Sequence, residues 1–448
     1  MANIIFPSNF LWGAATAAYQ IEGAVNSGGR GASIWDTFSN TPGKIDNNDT
    51  GDVACDHYNR YISDIEHMKA LGLQSYRTSI AWSRIFPEGK GQVNQAGLDF
   101  YDRLTDKLLE ASIKPVYTLF HWDLPQKLQD LGGFNNRDLI YYFRDYAQLM
   151  FEKLGDRVNL WITHNEPAVY SHNGHIWGNH APGIADWKTG IQVSHHLLLS
   201  HALAVEAFRQ SGKPGDIGIT LNLTYFEPAS DTPADQAATI RQDGFGNRWF
   251  LDPLFKGAYP ADILALYESH NIAPDVMADD LARIKNSLDF LGINYYFRFA
   301  VSHKENDGLL KTYARAVVGP FTAMGWEINP YGLYHFLTRI KSEYANIPIY
   351  ITENGAAFDD VLVNNTVQDD RRIDYLEKHF AATAQAIAEG VDVRGYYVWS
   401  LLDNFEWSFG YSKRFGIIYV DYETQQRYWK QSAYWYRDFI TAQKNKSS

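Results

Sequence analysis

The chain has 448 residues, 45% of them hydrophobic, which is enough for one large barrel domain with a substantial core. Its 40 basic and 52 acidic residues give a net charge of −12 without any Lys/Arg-rich run, so a nucleic-acid partner or an anionic membrane surface is disfavoured. The only cysteine, Cys55, excludes an internal disulfide. No apolar stretch approaches the roughly 20 residues that span a bilayer, and the N-terminus lacks a signal-peptide pattern, so we expect a cytoplasmic protein without a membrane partner.

Apolar runs typical of buried strands alternate with amphipathic helical patterns. The predicted strands are Phe10–Ala18, Gln74–Trp82, Pro115–Phe120, Asn159–His164, Ile217–Leu223, Phe290–Tyr296, Ile347–Thr352 and Val393–Leu401. Helical periodicity of the apolar residues predicts helices over Arg60–Leu71, Leu98–Ala111 and Arg372–Ala388, the first with Ile62, Ile65, Met68 and Leu71 on its apolar face. Strands that alternate with helices favour parallel βαβ units, and eight such strands favour a closed (β/α)₈ TIM barrel with elaborated loops after the strands.

We expect one domain over residues 1–448, with a polar tail from about residue 444. The main alternative is an open doubly wound sheet, which normally carries a Gly-rich phosphate-binding loop after its first strand. The Gly-dense stretch near the N-terminus, 28–31, has neither the dinucleotide-binding nor the phosphate-loop spacing. The barrel is therefore the favoured fold.

Two short motifs each place a glutamate directly after a predicted strand. Residues 163–167 read Thr-His-Asn-Glu-Pro and residues 351–355 read Ile-Thr-Glu-Asn-Gly, so Glu166 and Glu353 lie 187 positions apart (353 − 166). Only a closed fold brings such distant residues together. A facing pair of carboxyl groups is what the cleavage of a glycosidic bond requires, so these motifs indicate a glycosidase.

Other polar and aromatic residues also fall at the carboxyl ends of the predicted strands, where barrel active sites are built. They are Gln20, Arg77, His121, Trp122, Asn165, Asn222, Asn294, Tyr295, Tyr296 and Trp399, with Glu406 and Trp407 on the loop after the last strand. Because the eight strand ends meet at one face of a barrel, these side chains are predicted to form one site.

On these motifs the chain resembles the family 1 glycoside hydrolases, which are retaining enzymes of the β-glucosidase type. The resemblance extends from Phe-Leu-Trp-Gly-Ala-Ala-Thr at 10–16 to Phe-Gly-Ile-Ile-Tyr-Val-Asp at 415–421. It implies that Glu353 is the nucleophile, that Glu166 is the general acid and base, and that no cofactor or metal takes part. Retaining enzymes hold these carboxyl groups roughly 5–5.5 Å apart, and we expect that separation here.

The residues themselves agree with this division of roles. A cation close to a carboxyl group lowers its pKa, so Arg77 is expected to keep Glu353 ionised, with Tyr296 as a further hydrogen-bond partner. Glu166 faces that anion and is expected to keep its proton longer, as an acid must.

The resemblance also assigns the substrate contacts. Gln20, His121, Asn165 and Glu406 are expected to bind the sugar hydroxyls, Trp399 to stack under the ring, and Trp326 to bind the leaving group. The predicted substrate-binding set is completed by Trp122, Asn294, Tyr296, Trp407 and Phe415. Relatives that act on 6-phosphorylated glycosides lack the Glu406–Trp407 pair and have tyrosine in place of Phe415. The carboxylate of Glu406 would repel a phosphate, so an unphosphorylated sugar is expected.

The chain departs from common family usage at two positions. Ala168 stands where many relatives have an aromatic residue, which leaves more room on the leaving-group side, and His164 occupies a position that is usually apolar. The spacing of the histidines at 172, 175, 180, 195 and 196 fits no standard zinc pattern, so structural roles are expected for them, with His180 near the leaving group.

The predicted activity is exo-hydrolysis of terminal β-D-glucosyl residues of small-molecule β-glycosides and oligosaccharides, with β-galactosides and β-fucosides as further substrates. Two alternatives stay open: transglycosylation at the same site, and a sugar-binding barrel without catalysis, whose signature would be the loss of either glutamate. Assembly into a homo-oligomer is also open.

Overall fold

The computed structural model describes residues 5–285 and 288–446. The strands in these ranges are β1 (Leu11–Ala15), β2 (Ser75–Ser79), β3 (Lys114–Phe120), β4 (Leu160–Asn165), β5 (Asp216–Asn222), β6 (Tyr225–Pro228), β7 (Phe290–Asn294), β8 (Arg298–His303), β9 (Thr312–Arg315), β10 (Ile349–Asn354), β11 (Val393–Trp399), β12 (Ile418–Val420) and β13 (Arg427–Trp429).

The α-helices in the same ranges are α1 (Ala18–Ile21), α2 (Ile34–Ser39), α3 (His57–Ala70), α4 (Trp82–Ile85), α5 (Gln95–Glu110), α6 (Gln126–Gln129), α7 (Leu139–Leu154), α8 (Pro167–Ser171), α9 (Trp187–Ser211), α10 (Pro233–Asp243), α11 (Trp249–Lys256), α12 (Ala261–Ser269), α13 (Asp280–Ile284), α14 (Pro330–Arg339), α15 (Asp370–Ala388) and α16 (Gln431–Lys446). Three π-helical segments, His172–Ile176, Gly244–Arg248 and Ile340–Tyr344, directly follow α8, α10 and α14.

Eight strands form a closed parallel barrel in the order β1-β11-β10-β7-β5-β4-β3-β2. Each of the eight predicted runs overlaps one of these strands, so the predicted (β/α)₈ class is confirmed. A parallel barrel strand is covered on both faces, by the barrel interior and by the helices, which is why the strands read as nearly continuous apolar runs.

The three predicted helices correspond to α3, α5 and α15, with small differences at their ends. In α5, Leu98, Tyr101, Leu104 and Leu108 are all buried, as their spacing predicts. The prediction for α3 was wrong at Ile62, whose side chain is 53% exposed. Ile65 and Met68 are the buried apolar residues of that helix, and Tyr58 and Tyr61 pack against the core from its first turns.

Two barrel strands contain an extra residue close to their carboxyl ends. Opposite β5, the register of β4 shifts between Ile162 and Asn165, and opposite β7 the register of β10 shifts between Ile351 and Glu353. The pairings β1–β2, β2–β3 and β5–β7 run without such a shift. Bulges of this kind change the direction of the following side chain and are common at barrel rims. Both shifts lie immediately before the two glutamate positions.

Two small sheets were not predicted. Strands β6, β8 and β9 form a three-stranded sheet in the connections that follow β5 and β7, and β12 pairs with β13 in an antiparallel hairpin. Both lie after barrel strands, so they elaborate the face at which those strands end. No helix within the described residues is long and apolar enough to cross a membrane. The cytoplasmic location and the homo-oligomer stay predictions.

Candidate active site

A cavity of about 620 Å³ lies at the carboxyl ends of the barrel strands. Most of the side chains predicted for the site line it, namely His121, Trp122, Glu166, Asn294, Tyr296, Trp326, Glu353, Trp399, Glu406, Trp407 and Phe415. Gln20, Arg77 and Asn165 are fully or almost fully buried behind that wall. The fold therefore brings these residues together, in an inner and an outer layer. The prediction was wrong for Tyr295, which does not line the cavity and whose hydroxyl donates to the carbonyl oxygen of Asn329 at 2.7 Å.

Glu353 is held at both carboxylate oxygens. Arg77 Nη1 donates to Oε1 at 2.6 Å, and the Tyr296 hydroxyl donates to Oε2 at 2.6 Å. The backbone after Glu353 approaches β11 so closely that a Cβ on Gly355 would lie 1.6 Å from the carbonyl oxygen of Trp399. The glycine of this motif thus permits the packing that fixes the nucleophile candidate.

Glu166 is held by a chain of oriented hydrogen bonds. Thr352 Oγ1 donates to Asn294 Oδ1 at 2.7 Å, so the amide nitrogen of Asn294 faces Glu166 and donates to its Oε1 at 2.6 Å. Glu166 itself has a φ of 48°, a backbone conformation that residues other than glycine rarely adopt. Trp122 and Trp407, two other residues of the wall, also have positive φ. Such strain accumulates at functional sites, where the surrounding structure holds it.

Burial dominates the protonation of both glutamates. It raises the pKa of Glu166 to about 8, with the charge of Glu353 adding to the effect and Asn294 opposing it. Burial also raises the pKa of Glu353, while Arg77 and Tyr296 act in the opposite direction. The sequence-based expectation accounted for the cation beside Glu353 but not for the burial that outweighs it. The two carboxyl groups differ because a guanidinium contacts Glu353, whereas only an amide contacts Glu166.

Asn165 connects the two glutamates and orients His121. Its Oδ1 accepts from Arg77 Nη2 at 2.7 Å and from Asn294 Nδ2 at 3.0 Å, so its own Nδ2 faces His121 Nε2 at 3.0 Å. Burial, together with Arg77, lowers the pKa of His121 well below its usual value. The neutral ring therefore accepts at Nε2 and carries its proton on Nδ1, which has no partner among the described residues.

Aromatic rings form two parts of the wall. Trp399 lies 6.1 Å from His121 between ring centres, and Trp122 packs 4.6 Å from Trp407. On the other side, Trp326 packs 5.4 Å from Tyr296. Flat apolar faces with hydrogen-bonding groups between them suit a sugar ring, whose faces are apolar and whose edge is polar.

Glu406 is a further carboxyl group of the cavity. Gln20 Nε2 donates to it at 3.5 Å and to Asn404 Oδ1 at 3.0 Å. Burial, with Glu353 adding to it, raises the pKa of Glu406 to about 8, so the neutral form predominates at neutral pH. Charge repulsion by Glu406 is therefore weaker than the sequence suggested. The cavity disfavours a phosphate for a second reason, because its lining within the described residues includes no Lys or Arg.

The outer wall of the cavity was largely missed by sequence reasoning. It includes Trp177, Trp187, Phe226, Phe245, Phe297, Phe299, Met324 and Phe409. Two π-helical segments contribute His172 and Phe245, which stack at 4.1 Å between ring centres. The aromatic content of 15% was the only sequence signal for this wall, and it did not locate it.

Ala168 and His180 line the same cavity, and their place on the leaving-group side stays a prediction. His164 does not line it. Its Nε2 lies 2.8 Å from Ser200 Oγ, and its ring stacks on Phe143 beneath the barrel wall. His195 likewise has protein partners, Tyr259 and Asp280.

Comparison with known proteins gives a consistent result. The model of a family described as glycosyl hydrolase family 1 matches residues 2–445. The chain is 50% identical over 443 residues to beta-glucosidase A of Acetivibrio thermocellus, a match that covers 98% of this chain and 99% of the relative. It is 51% identical over 437 residues to a 1,4-beta-D-glucan glucohydrolase of Thermotoga neapolitana, covering 97% and 98%. The structure of a family 1 β-glucosidase from Thermotoga maritima superposes with a TM-score of 0.95 at 50% identity, covering 98% and 99% of the two chains.

Proposed function

Because the chain belongs to glycosyl hydrolase family 1, we propose that it is a β-glucosidase that removes terminal β-D-glucosyl residues from unphosphorylated glycosides. The observation that carries the proposal is the pair of carboxyl groups that line one cavity. Glu353 has a guanidinium and a phenol hydroxyl as partners, while the buried Glu166 has an amide. In this proposal residues 1–448 form one catalytic unit.

In the first step, Glu353 attacks the anomeric carbon while Glu166 gives its proton to the oxygen of the leaving group. The bond from the anomeric carbon to that oxygen breaks, and a covalent glucosyl ester on Glu353 forms. The raised pKa of Glu166, about 8, keeps the proton available at neutral pH. Arg77 and Tyr296 hold the attacking carboxylate in one orientation, which saves the cost of positioning it.

In the second step, the ionised Glu166 takes a proton from water, and the resulting hydroxide attacks the anomeric carbon from the face that the leaving group vacated. The ester bond breaks, Glu353 is regenerated as a carboxylate, and Glu166 is again protonated. Two inversions give a product with the β-configuration of the substrate.

Sugar selectivity is proposed to come from the inner wall. His121 and Glu406 present polar atoms between aromatic faces, and a substrate without the matching hydroxyl leaves such groups unpaired. The wide aromatic outer wall, with alanine at position 168, suits aryl and alkyl groups as well as further glucose units. We therefore propose cello-oligosaccharides and aryl or alkyl β-glucosides as substrates, with β-galactosides and β-fucosides accepted in addition.

The decisive experiment follows the hydrolysis of 4-nitrophenyl β-D-glucoside by proton NMR. We expect β-glucose as the first product, with α-glucose appearing only by later mutarotation. Initial formation of α-glucose would contradict the double displacement, and absence of turnover on every aryl and oligosaccharide β-glucoside would contradict the activity itself.

The dependence of kcat/KM on pH is expected to be bell-shaped. Glu166 acts as an acid only while protonated, so the rate falls as pH rises through its pKa of about 8. Glu353 attacks only while ionised, so the rate also falls below its pKa, which burial raises above the range of an exposed glutamate. Because the two groups interact, the apparent values belong to the pair.

The alkaline limb can be assigned with two variants, since Glu406 titrates in the same range. With 4-nitrophenyl β-D-glucoside, the residual activity of Glu166→Ala is expected to lose the alkaline limb and Glu406→Gln to keep it. The reverse result would assign that limb to Glu406.

A further inference from the structure

The loop between β11 and β12, residues 400–417, supplies much of the sugar-side wall and is here called the Glu406 loop. It brings Glu406, Trp407 and Phe415 to the cavity. Within it, the one helical segment is a single 3₁₀ turn at Trp407–Phe409. The positions of these three side chains therefore depend on how the two ends of the loop are held.

Asp403 joins the two ends of the Glu406 loop. Its fully buried carboxylate accepts from Arg414 Nη1 at 2.6 Å, from the backbone N–H of Gly416 at 2.9 Å, and from Lys430 Nζ at 2.7 Å. Arg414 and Gly416 flank Phe415, and Asp403 precedes Glu406 by three positions. A single carboxylate thus connects the chain just before Glu406 with the chain on both sides of Phe415.

Lys430 extends this contact to the segment that follows the nucleophile. Its Nζ is also buried and donates to Asp360 Oδ2 at 2.5 Å. Asp360 accepts from Arg372 Nη2 at 2.7 Å, and Arg372 in turn donates to the carbonyl oxygens of Ala356 at 3.2 Å and Arg414 at 2.9 Å. The loop carrying Glu406 and the loop after Glu353 are therefore held by one set of charged groups.

The charges of this network balance. The cations Arg372, Arg414 and Lys430 face the carboxylates Asp360, Asp369 and Asp403. Buried ion pairs lose their hydration, and apolar residues in their place are often equally or more stabilising. Stability alone thus gives a weak reason for such a network, whereas each charged hydrogen bond fixes both a distance and a direction.

We propose that Asp403 and Lys430 are positioning residues for the sugar subsite. The network fixes Glu406 and Phe415 relative to Glu353, and it therefore sets the affinity for the sugar rather than the acid–base chemistry. This inference rests on the proposed function, in which Glu406 binds a sugar hydroxyl.

The test compares Asp403→Asn, Lys430→Met and the double variant. Each single change leaves the buried network with one unbalanced charge, so each is expected to lower Tm. The double variant removes one charge of each sign and is expected to recover part of that Tm. Asp280→Asn is the matched control, because Asp280 is also buried and ion-paired, and none of its partners Arg137, His195 and Met277 lines the cavity.

Kinetics are measured with 4-nitrophenyl β-D-glucoside and its 4-deoxy and 6-deoxy analogues, at a temperature at which all variants are folded. The double variant is expected to lose about 10- to 100-fold in kcat/KM, mainly through KM, as a displacement of up to about 1 Å would cause. The penalty for removing the hydroxyl that Glu406 binds is expected to shrink. The control is expected to lower Tm and to leave KM and both penalties unchanged.

A double variant whose KM and deoxy penalties equal those of the wild type would overturn the inference, because the network would then only stabilise the fold. That result leaves the proposed function intact, since the wild type still turns over. A wild type without turnover would instead refute the proposed function, and this inference with it.

Discussion

Replacing Glu353 with glycine is expected to lower kcat for 4-nitrophenyl β-D-glucoside by about 10⁵- to 10⁶-fold, the scale on which removal of an enzyme's nucleophile acts. The variant keeps Glu166, the aromatic walls and the groups that bind sugar hydroxyls, but it has no atom that can form the covalent ester. Binding of a sugar is expected to persist, so KM changes far less than kcat. Steady-state kinetics with the aryl glucoside measure both.

Adding azide to the reaction of the Glu353→Gly variant tests the role of Glu353 more directly. In the space left by the missing carboxylate, azide attacks the anomeric carbon on the face opposite the leaving group, so a single displacement yields α-glucosyl azide. Glu423→Gly, at an exposed turn, is the control for the chemical change from glutamate to glycine. A Glu353→Gly variant with normal hydrolysis would show that another group is the nucleophile.

Replacing Glu166 with alanine is expected to have an effect that depends on the leaving group. Hydrolysis of cellobiose, whose leaving alcohol must be protonated, is expected to fall by about 10⁴-fold, and cleavage of the 2,4-dinitrophenyl glucoside by about 100-fold or less. The second compound leaves as a stabilised phenolate, so an acid contributes little to its departure. Rates for a series of aryl glucosides, plotted against the pKa of the leaving phenol, measure this dependence.

Azide also distinguishes this variant from the previous one. Without a carboxylate at position 166, azide attacks the glucosyl ester on Glu353 from the side of the departed group, and the product is β-glucosyl azide. An equal loss of rate for every leaving group, or an α-azide from this variant, would contradict the role of Glu166.

The barrel was predictable because each of its strands has a recognisable local sequence pattern. A strand buried on both faces is a short apolar run, and such runs recur between helices with clear periodicity. The polar strand ends were predictable for a related reason, since Arg77 and Asn165 interrupt sequences that are otherwise suited to the core. The distance from Arg77 to Glu353 and that from Asn165 to His121 could not be predicted, because they depend on contacts between residues far apart in the chain.

The outer wall and the small sheets lack such signals. Strand β6 has four residues and pairs in parallel with β8, which begins at Arg298. No local pattern encodes that pairing. The prediction for Ile62 was wrong for the opposite reason, because this residue has the helical spacing of a buried position and yet points to solvent. The burial of Glu406 was also invisible in the sequence, and with it the raised pKa of that side chain.

The extra residue in β4 and in β10 matters to anyone who would graft this chemistry onto another barrel. Along a regular strand, successive side chains alternate between the interior and the helical layer. A glutamate transferred to the corresponding place in an evenly registered strand would point to the wrong face of that strand, away from the second glutamate across the barrel. The inserted backbone unit before Glu166 and before Glu353 must therefore be copied together with the carboxyl groups. A transplant that substitutes the five-residue motifs one for one, without lengthening the host strand, would carry the reactive atoms without their alignment.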